Sequence, residues 1–165
     1  MQVFRNLPEG TLAELIDGIL YMSPAPTTYH QLVIGTLHRV LANFVLDKAL
    51  GTVFLSPVDV YLDETLNAVQ PDLLFISKDS KLVMKRDGLY GAPDLIIEVL
   101  SPTNPKHDLV RKKSLYEKFG VKEYWIVDPE AKDATGFELR EAEYHPLVTT
   151  KSKFHSALLR QEFEF

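Results

Sequence analysis

Apolar and polar residues follow regular spacings along most of the chain, and turn residues separate the runs. Residues 13–22 predict two short strands joined by Asp17-Gly18, a dipeptide favoured in two-residue hairpin turns because both positions tolerate positive φ. A threonine at position 27 or 28 can cap a helix that extends to about Leu46, with an apolar face at helical spacing. Gly35 in the middle of this helix suggests close approach by another backbone, since glycine costs about 1 kcal/mol there relative to alanine.

Three apolar runs then predict strands. The first covers residues 51–62 with an interruption at Pro57, and the second covers residues 70–76. Residues 77–90 are polar and predict a loop. The third run, within residues 91–102, is bounded by turn residues and has the length of a buried strand. The chain is organised around this third run.

Two carboxylates interrupt the central run. Asp94 and Glu98 share a parity, so their side chains point to one face of the strand. An ionised carboxylate in a core element is costly unless a positive or hydrogen-bonding group meets it, and a divalent cation suits two carboxylates at once. Asp72 opens the preceding strand as Asp94 opens this one. The pattern therefore suggests a metal site.

The segment after the central strand predicts a capped helix. Residues 103–108 carry turn and cap chemistry, and residues 109–119 should form a helix closed by Gly120. A helical wheel places Lys112 in the middle of the apolar side, together with the side chains Leu109, Leu115, Tyr116 and Phe119. Lys112 either snorkels to water along its four-carbon stem or reaches over the strand end towards Glu98.

The last part of the chain predicts only strands. Residues 122–128 form a buried strand that includes the single tryptophan. Together with the preceding strand and helix it makes a β-α-β crossover, which should be parallel and right-handed. Residues 135–140, 144–149 and 158–165 predict antiparallel edge hairpins.

Composition indicates the number of domains and limits the side chains that could bind a metal. The 165 residues, 45% of them apolar, predict one domain over residues 1–165. The absence of cysteine leaves oxygen or imidazole as metal ligands and favours Mg²⁺. No basic start with an apolar segment and no window of roughly 20 apolar residues is present, so we expect a soluble cytoplasmic protein with no membrane partner.

Charge is unevenly distributed. The net charge of −5 argues against a dedicated nucleic-acid packaging protein. Residues 104–122 nevertheless contain six Lys or Arg and two acids, which gives about +4. The basic stretch from Lys106 to Lys122 is the best candidate for contacting phosphates, although a solvated helix face is its usual explanation.

These parts suit phosphodiester hydrolysis. If Asp72 and Glu98 lie on neighbouring strands, they can share one or two Mg²⁺ ions, which lower the pKa of bound water. Lys112 would orient or deprotonate that water, or stabilise the anionic transition state. Spacing alone leaves a metal-dependent phosphatase open. Glu14 can be a surface strand acid, and His30 a packed core residue on the helix face.

Several of these residues match a known pattern. Pro71-Asp72, Glu98 in an apolar strand, a following helix with a lysine, and the sequence of residues 120–128 resemble the PD-(D/E)XK nuclease superfamily. More narrowly, they resemble its bacterial restriction-endonuclease-like Uma branch. The similarity extends from about Glu14 to Pro129 and reappears in residues 153–159. Leu100 stands where the superfamily has lysine, and in this branch Lys112 is the residue that fits.

The resemblance implies an α/β (α+β) fold with an α-β-β-β-α-β core, a mixed central sheet, an N-terminal hairpin and C-terminal antiparallel hairpins. It implies a Mg²⁺-dependent DNA endonuclease, with Mn²⁺ as a possible substitute. Asp72 and Glu98 would be metal ligands and Lys112 the catalytic cation. The secondary contributors would be Asp94, Glu14 and His30.

Two other functions compete. A catalytically inactive or non-enzymatic module that binds nucleic acid or protein could use the same fold. A glycosidase could use Glu98 with Glu14, separated by about 5 to 10 Å with no metal between them. The single tryptophan, buried by pattern, disfavours a sugar cleft. By analogy with restriction enzymes, which often pair subunits, we also expect a homodimer.

Overall fold

The structure is a computed structural model that describes the backbone of residues 1–101 and 105–165. It describes the side chains of the same residues except 105–109. The cap chemistry expected in residues 103–108, the place of Leu109 on the helical wheel and the side chain of Lys106 therefore lie outside the described residues.

In the described ranges, helices flank a series of short strands. The helices are α1 (Gln2–Arg5), α2 (Thr28–Asp47) and α3 (Pro105–Phe119). The strands are β1 (Ala13–Ile16), β2 (Ile19–Met22), β3 (Gly51–Leu55), β4 (Val60–Tyr61), β5 (Ala68–Val69), β6 (Leu73–Ser77), β7 (Val83–Lys85), β8 (Gly88–Tyr90), β9 (Leu95–Val99), β10 (Glu123–Asp128), β11 (Asp133–Arg140), β12 (Glu143–Pro146), β13 (Thr150–Lys151), β14 (Lys153–Ser156) and β15 (Gln161–Glu164).

The central sheet has the order β12-β11-β10-β9-β6-β3, with β13 beside β11. Strands β3, β6 and β9 pair antiparallel, whereas β9 and β10 pair parallel across the α3 connection. The order α2-β3-β6-β9-α3-β10 confirms the expected α-β-β-β-α-β core with a mixed sheet. A second sheet has the order β2-β1-β5-β4-β8-β7, and β14 pairs with β15 alone.

The two faces of the central sheet are covered by different elements. Leu95 and Ile97 of β9 pack with the apolar side of α2 and with the β14–β15 hairpin. Ile96, which has the opposite parity, packs with Leu115 and Tyr116 of α3 and with the second sheet. Glu98 shares the parity of Ile96, so it faces α3. A charged side chain is thus directed into the contact between sheet and helix.

The first hairpin and the long helix form as their patterns predict. Ile16 pairs with Ile19, and the two turn residues between them have φ values of 49° and 78°, as a two-residue turn requires. Thr27 accepts a hydrogen bond from the His30 N–H at 3.3 Å and caps α2. In the described residues, no helix combines the length and apolarity that crossing a membrane requires.

The expected interruption at Pro57 divides the run at 51–62, because proline has no N–H with which to continue a strand ladder; β3 joins the central sheet and β4 the second. Two other local expectations are wrong. The segment at 77–90, expected to be a loop, contains the β7–β8 hairpin. Its strands have three residues each, which is too short for the apolar–polar alternation of a strand to be recognised. Apart from its chain neighbours and the backbone of its own helix, no described atom lies within 4 Å of a Cβ added to Gly35, so no other described backbone approaches it.

Candidate active site

Asp72 and Glu98 come together at one end of the β6–β9 pair. Leu73 lies opposite Ile97 in this antiparallel ladder, and the next step of the register sets Asp72 against Glu98. The N–H of Val99 donates to Asp72 Oδ2 at 2.8 Å. The Asp72 carboxylate is therefore fixed at the C-terminal end of β9, beside Glu98.

Lys112 reaches this pair from α3. Its Nζ lies 3.0 Å from Glu98 Oε1 and 2.9 Å from Glu14 Oε1, and its side chain is only 13% exposed. The ammonium therefore contacts the acids and does not snorkel to water. Burial alone would lower the pKa of Lys112, but the charges of Glu14 and Glu98 more than offset it and hold the pKa well above the ordinary value. Lys112 is an ammonium at neutral pH.

Glu14 comes to the site on the N-terminal hairpin. The N–H of Gln70 donates to Glu14 Oε1 at 3.0 Å. The Gln70 side chain also accepts from the N–H of Ala13 at 3.3 Å and donates to the Thr11 carbonyl at 3.1 Å. Gln70 thus ties the hairpin to the segment that carries Asp72. Its position beside Pro71-Asp72 was the one sequence signal that could have identified it.

His30 contacts the other acid. Its Nε2 lies 3.2 Å from Asp72 Oδ2, and the side chain is buried at the first turn of α2. Burial lowers the pKa of His30, but the hydrogen bond to Asp72 and the charge of that carboxylate raise it by more, so the pKa lies above its ordinary value. Nδ1 is buried and has no partner among the described residues. His30 therefore serves as a donor to Asp72.

Glu98 is the most strongly perturbed acid of the group. Burial raises its pKa most, the Lys112 ammonium lowers it, and the carboxylates of Asp72 and Glu14 raise it again, with a net increase. The hydroxyl of Tyr116 donates to Glu98 Oε1 at 2.6 Å. Three carboxyl groups thus share one ammonium and one imidazole. Such a site gains from a further cation.

Asp94 lies elsewhere, although its parity is that of Glu98. Four residues of strand separate the two, which is about 13 Å. Lys122 Nζ lies 2.6 Å from Asp94 Oδ1, and the N–H of Ser77 donates to Oδ2 at 2.7 Å. Burial raises the pKa of Asp94, but these partners lower it by more. The structure does not bring Asp94 to the cluster, because a shared face is not a shared position along the strand.

The donor set suits a hard divalent cation. Asp72 Oδ2 and Glu98 Oε1 receive the hydrogen bonds described above, whereas Asp72 Oδ1 and Glu98 Oε2 receive none from a described residue. In the same part of the chain, no group of three or more His, Asp or Glu side chains surrounds a single point. Two carboxylates completed by water and a substrate phosphate are a usual Mg²⁺ environment. The residues therefore fit Mg²⁺ with ligands from both strands.

Comparisons with known proteins give a family for the chain and a solved structure of similar fold. The profile of a family described as "Uma2: Putative restriction endonuclease" matches residues 1–164. Among solved structures, the chain is similar to a putative nuclease belonging to DUF820 from Anabaena variabilis ATCC 29413. That similarity has a TM-score of 0.72 and 20% sequence identity, and covers 87% of this chain and 81% of the other. A comparison with curated proteins gives no match.

Proposed function

Because the chain belongs to the Uma2 family of restriction-endonuclease-like proteins, we propose that it is a metal-dependent DNA endonuclease that hydrolyses phosphodiester bonds. The observation that carries the proposal is the position of the Lys112 ammonium, 2.9 Å from Glu14 of β1 and 3.0 Å from Glu98 near the end of β9. A buried cation held in place by acids from two sheets is a pre-placed positive group for an anionic transition state.

Asp72 and Glu98 would hold Mg²⁺ through Oδ1 and Oε2. A bound Mg²⁺ supplies a Lewis acid for a phosphoryl oxygen and lowers the pKa of the water that it binds. His30 keeps Asp72 oriented by donating to Oδ2. This leaves the other oxygen of Asp72 directed away from the imidazole.

Lys112 acts as a positive group in this proposal. Since its pKa lies well above the ordinary value, it does not take up a proton at neutral pH. Its role is to stabilise the negative charge that develops on the phosphoryl group. Glu14 positions the ammonium, because it contacts Nζ at the same time as Glu98 does.

A DNA substrate is supported by the charge of α3. In its described side chains, Arg111 lies 4.4 Å over the ring of Tyr21 and Lys113 lies 4.5 Å over that of Phe137. These cations lie on the helix that delivers Lys112, so a polyanionic backbone at the site would meet positive charge. The same stretch would serve a binding module.

A nicking assay tests the proposal. Supercoiled plasmid is incubated with the protein in Mg²⁺, in Mn²⁺ and in EDTA, and the variants Asp72→Asn, Glu98→Gln and Lys112→Met are purified in parallel. We expect nicking only with metal and a loss of at least about 100-fold in each variant. Glu143→Gln, on the exposed strand β12, is the matched control and should nick at the wild-type rate. Nicking that persists in Glu98→Gln would refute the proposal.

An inactive binding module is the second candidate, since Leu100 occupies the usual lysine position. It predicts DNA binding that persists in EDTA and is unchanged in Asp72→Asn and Glu98→Gln. A gel-shift titration of the same proteins separates the two functions.

We also propose a homodimer, by analogy with restriction enzymes that pair two subunits to cut both strands. Light scattering at micromolar concentration should give twice the mass of the chain. A monomer that nicks without linearising the plasmid would exclude this assembly.

A further inference from the structure

Two donors from successive turns of α3 contact the same oxygen. The Tyr116 hydroxyl donates to Glu98 Oε1 at 2.6 Å, and the Lys112 ammonium lies 3.0 Å from that atom. Residues four apart lie on one face of a helix, so both side chains reach Glu98 from the same side. Glu98 Oε2 receives no hydrogen bond from a described residue and is left for another ligand.

The two donors differ in what else they do. Lys112 is shared with Glu14 and has a flexible four-carbon stem. Tyr116 is fully buried, and its ring packs edge-on against Tyr124 with centroids 5.0 Å apart. A tyrosine side chain has only two torsion angles, and this one has no exposed surface. The phenol is therefore the donor whose position is fixed.

We propose that Tyr116 is a positioning residue that holds Glu98 Oε1 against α3 and thereby directs Oε2 towards the bound cation. The proposal rests on the proposed function. It also gives Lys112 freedom to act, since the ammonium can turn towards a phosphate while the buried Oε1 keeps its hydrogen bond to the phenol. Without Tyr116, the same movement would leave Oε1 without a donor in a buried site.

Tyr124 offers a matched control. It is as buried as Tyr116 and lies next to it, but its hydroxyl has no hydrogen-bond partner among the described residues. Tyr124→Phe removes a hydroxyl from the same part of the core without removing a contact to Glu98. Comparing Tyr116→Phe with Tyr124→Phe therefore separates the hydrogen bond from the packing.

The experiment measures metal dependence. Mn²⁺ affinity is determined by calorimetry, and plasmid nicking is followed across a Mg²⁺ titration for the wild type and both variants. Loss of a hydrogen bond that orients a ligand typically costs 10- to 100-fold in metal affinity. We expect Tyr116→Phe to raise the Mn²⁺ Kd and the half-saturating Mg²⁺ concentration by that factor, with a smaller change in the rate at saturating metal. Tyr124→Phe should stay within twofold of the wild type.

A second measurement guards against a merely structural effect. Melting temperatures are recorded in EDTA for Tyr116→Phe alone and in a Glu98→Ala background. If the hydroxyl acts through Glu98, its removal lowers the melting temperature only when Glu98 is present. If it acts through other contacts, its removal lowers the melting temperature equally in both backgrounds.

The outcomes are distinguishable. Equal metal dependence in Tyr116→Phe and Tyr124→Phe, or an equal melting penalty with and without Glu98, would overturn the role of Tyr116 and leave the proposed function standing. A wild-type protein that neither binds Mn²⁺ nor nicks DNA would overturn the proposed function, and the role of Tyr116 with it.

Discussion

Replacing Lys112 by methionine gives the sharpest test of the site's electrostatics. The change removes the ammonium, keeps the stem, and leaves Glu14 and Glu98 buried without their counterion. At an effective dielectric constant of about 20, one ion contact near 3 Å is worth roughly 5 kcal/mol before desolvation is counted. Breaking one side of a buried pair usually costs about 3 to 5 kcal/mol. We expect Lys112→Met to lower the free energy of unfolding by about 3 kcal/mol at pH 8.5.

The loss should depend on pH. Burial raises the pKa of Glu98 from 4.5 to about 7, so the folded protein holds a proton there that the unfolded chain has already released. This contribution is fully present at low pH and is lost as the pH rises through the folded-state pKa. Lys112 lowers the pKa of Glu98, so its removal raises that pKa further. The loss of stability should therefore be larger at pH 8.5 than at pH 5.5, since each unit of pKa corresponds to about 1.4 kcal/mol.

Urea denaturation in EDTA at the two pH values measures both quantities. Lys113→Met is the matched control, because Lys113 is the next residue of α3 and lies over the ring of Phe137, with no ion pair to a described carboxylate. It should change the free energy of unfolding by less than about 0.5 kcal/mol. Equal losses at both pH values, or a Lys112→Met variant as stable as Lys113→Met, would show that the ammonium does not neutralise buried acids.

Three further predictions concern the neighbours of the site. His30→Gln replaces the imidazole that donates to Asp72 and should weaken Mn²⁺ binding in calorimetry by about 10-fold, whereas exposed His155→Gln should not; unchanged affinity would exclude His30 from the site. Asp94→Asn should leave the nicking rate within twofold, but the free energy of unfolding should fall less steeply with decreasing pH in the acid range. Because the pKa of Asp94 is lowered, its contribution is present above pH 4 and is lost as the pH falls through the folded-state pKa; an unchanged pH dependence in the acid range would contradict this. Saturating Mg²⁺ at 100 times its Kd should add about 2.7 kcal/mol to the stability of the wild type and none to that of Glu98→Gln, as measured by thermal melting.

The sequence could identify charged residues that stand at positions where the helix or strand pattern expects an apolar one. Lys112 on an apolar helix face and Glu98 within an apolar strand are conspicuous because each contradicts the pattern around it, and the structure places them 3.0 Å apart. Helical periodicity and capping likewise predicted α2, since both depend on local spacing, whereas the core order was implied by the family resemblance. Features of this kind require no knowledge of distant contacts.

Other residues of the site fit the hydrophobic pattern around them, so the sequence does not single them out. Tyr116 fits the apolar face of α3, so its hydroxyl contact to Glu98 is invisible until the helix is docked. Gln70 acts through its backbone N–H and an amide, which any polar loop residue also carries. Asp94 shows the converse error, because parity gives the face of a strand but not the distance along it.

The cluster is assembled from five separate regions of the chain, those containing Glu14, His30, Asp72, Glu98 and Lys112. Its last member belongs to the β9-α3-β10 crossover, whose parallel pairing forms only after β10 exists. A chain emerging from the ribosome therefore exposes its first three acids and its imidazole well before the lysine can reach them. The β9–β10 pairing needs residues 123–127, so we expect the complete cluster only in chains whose synthesis has passed these residues.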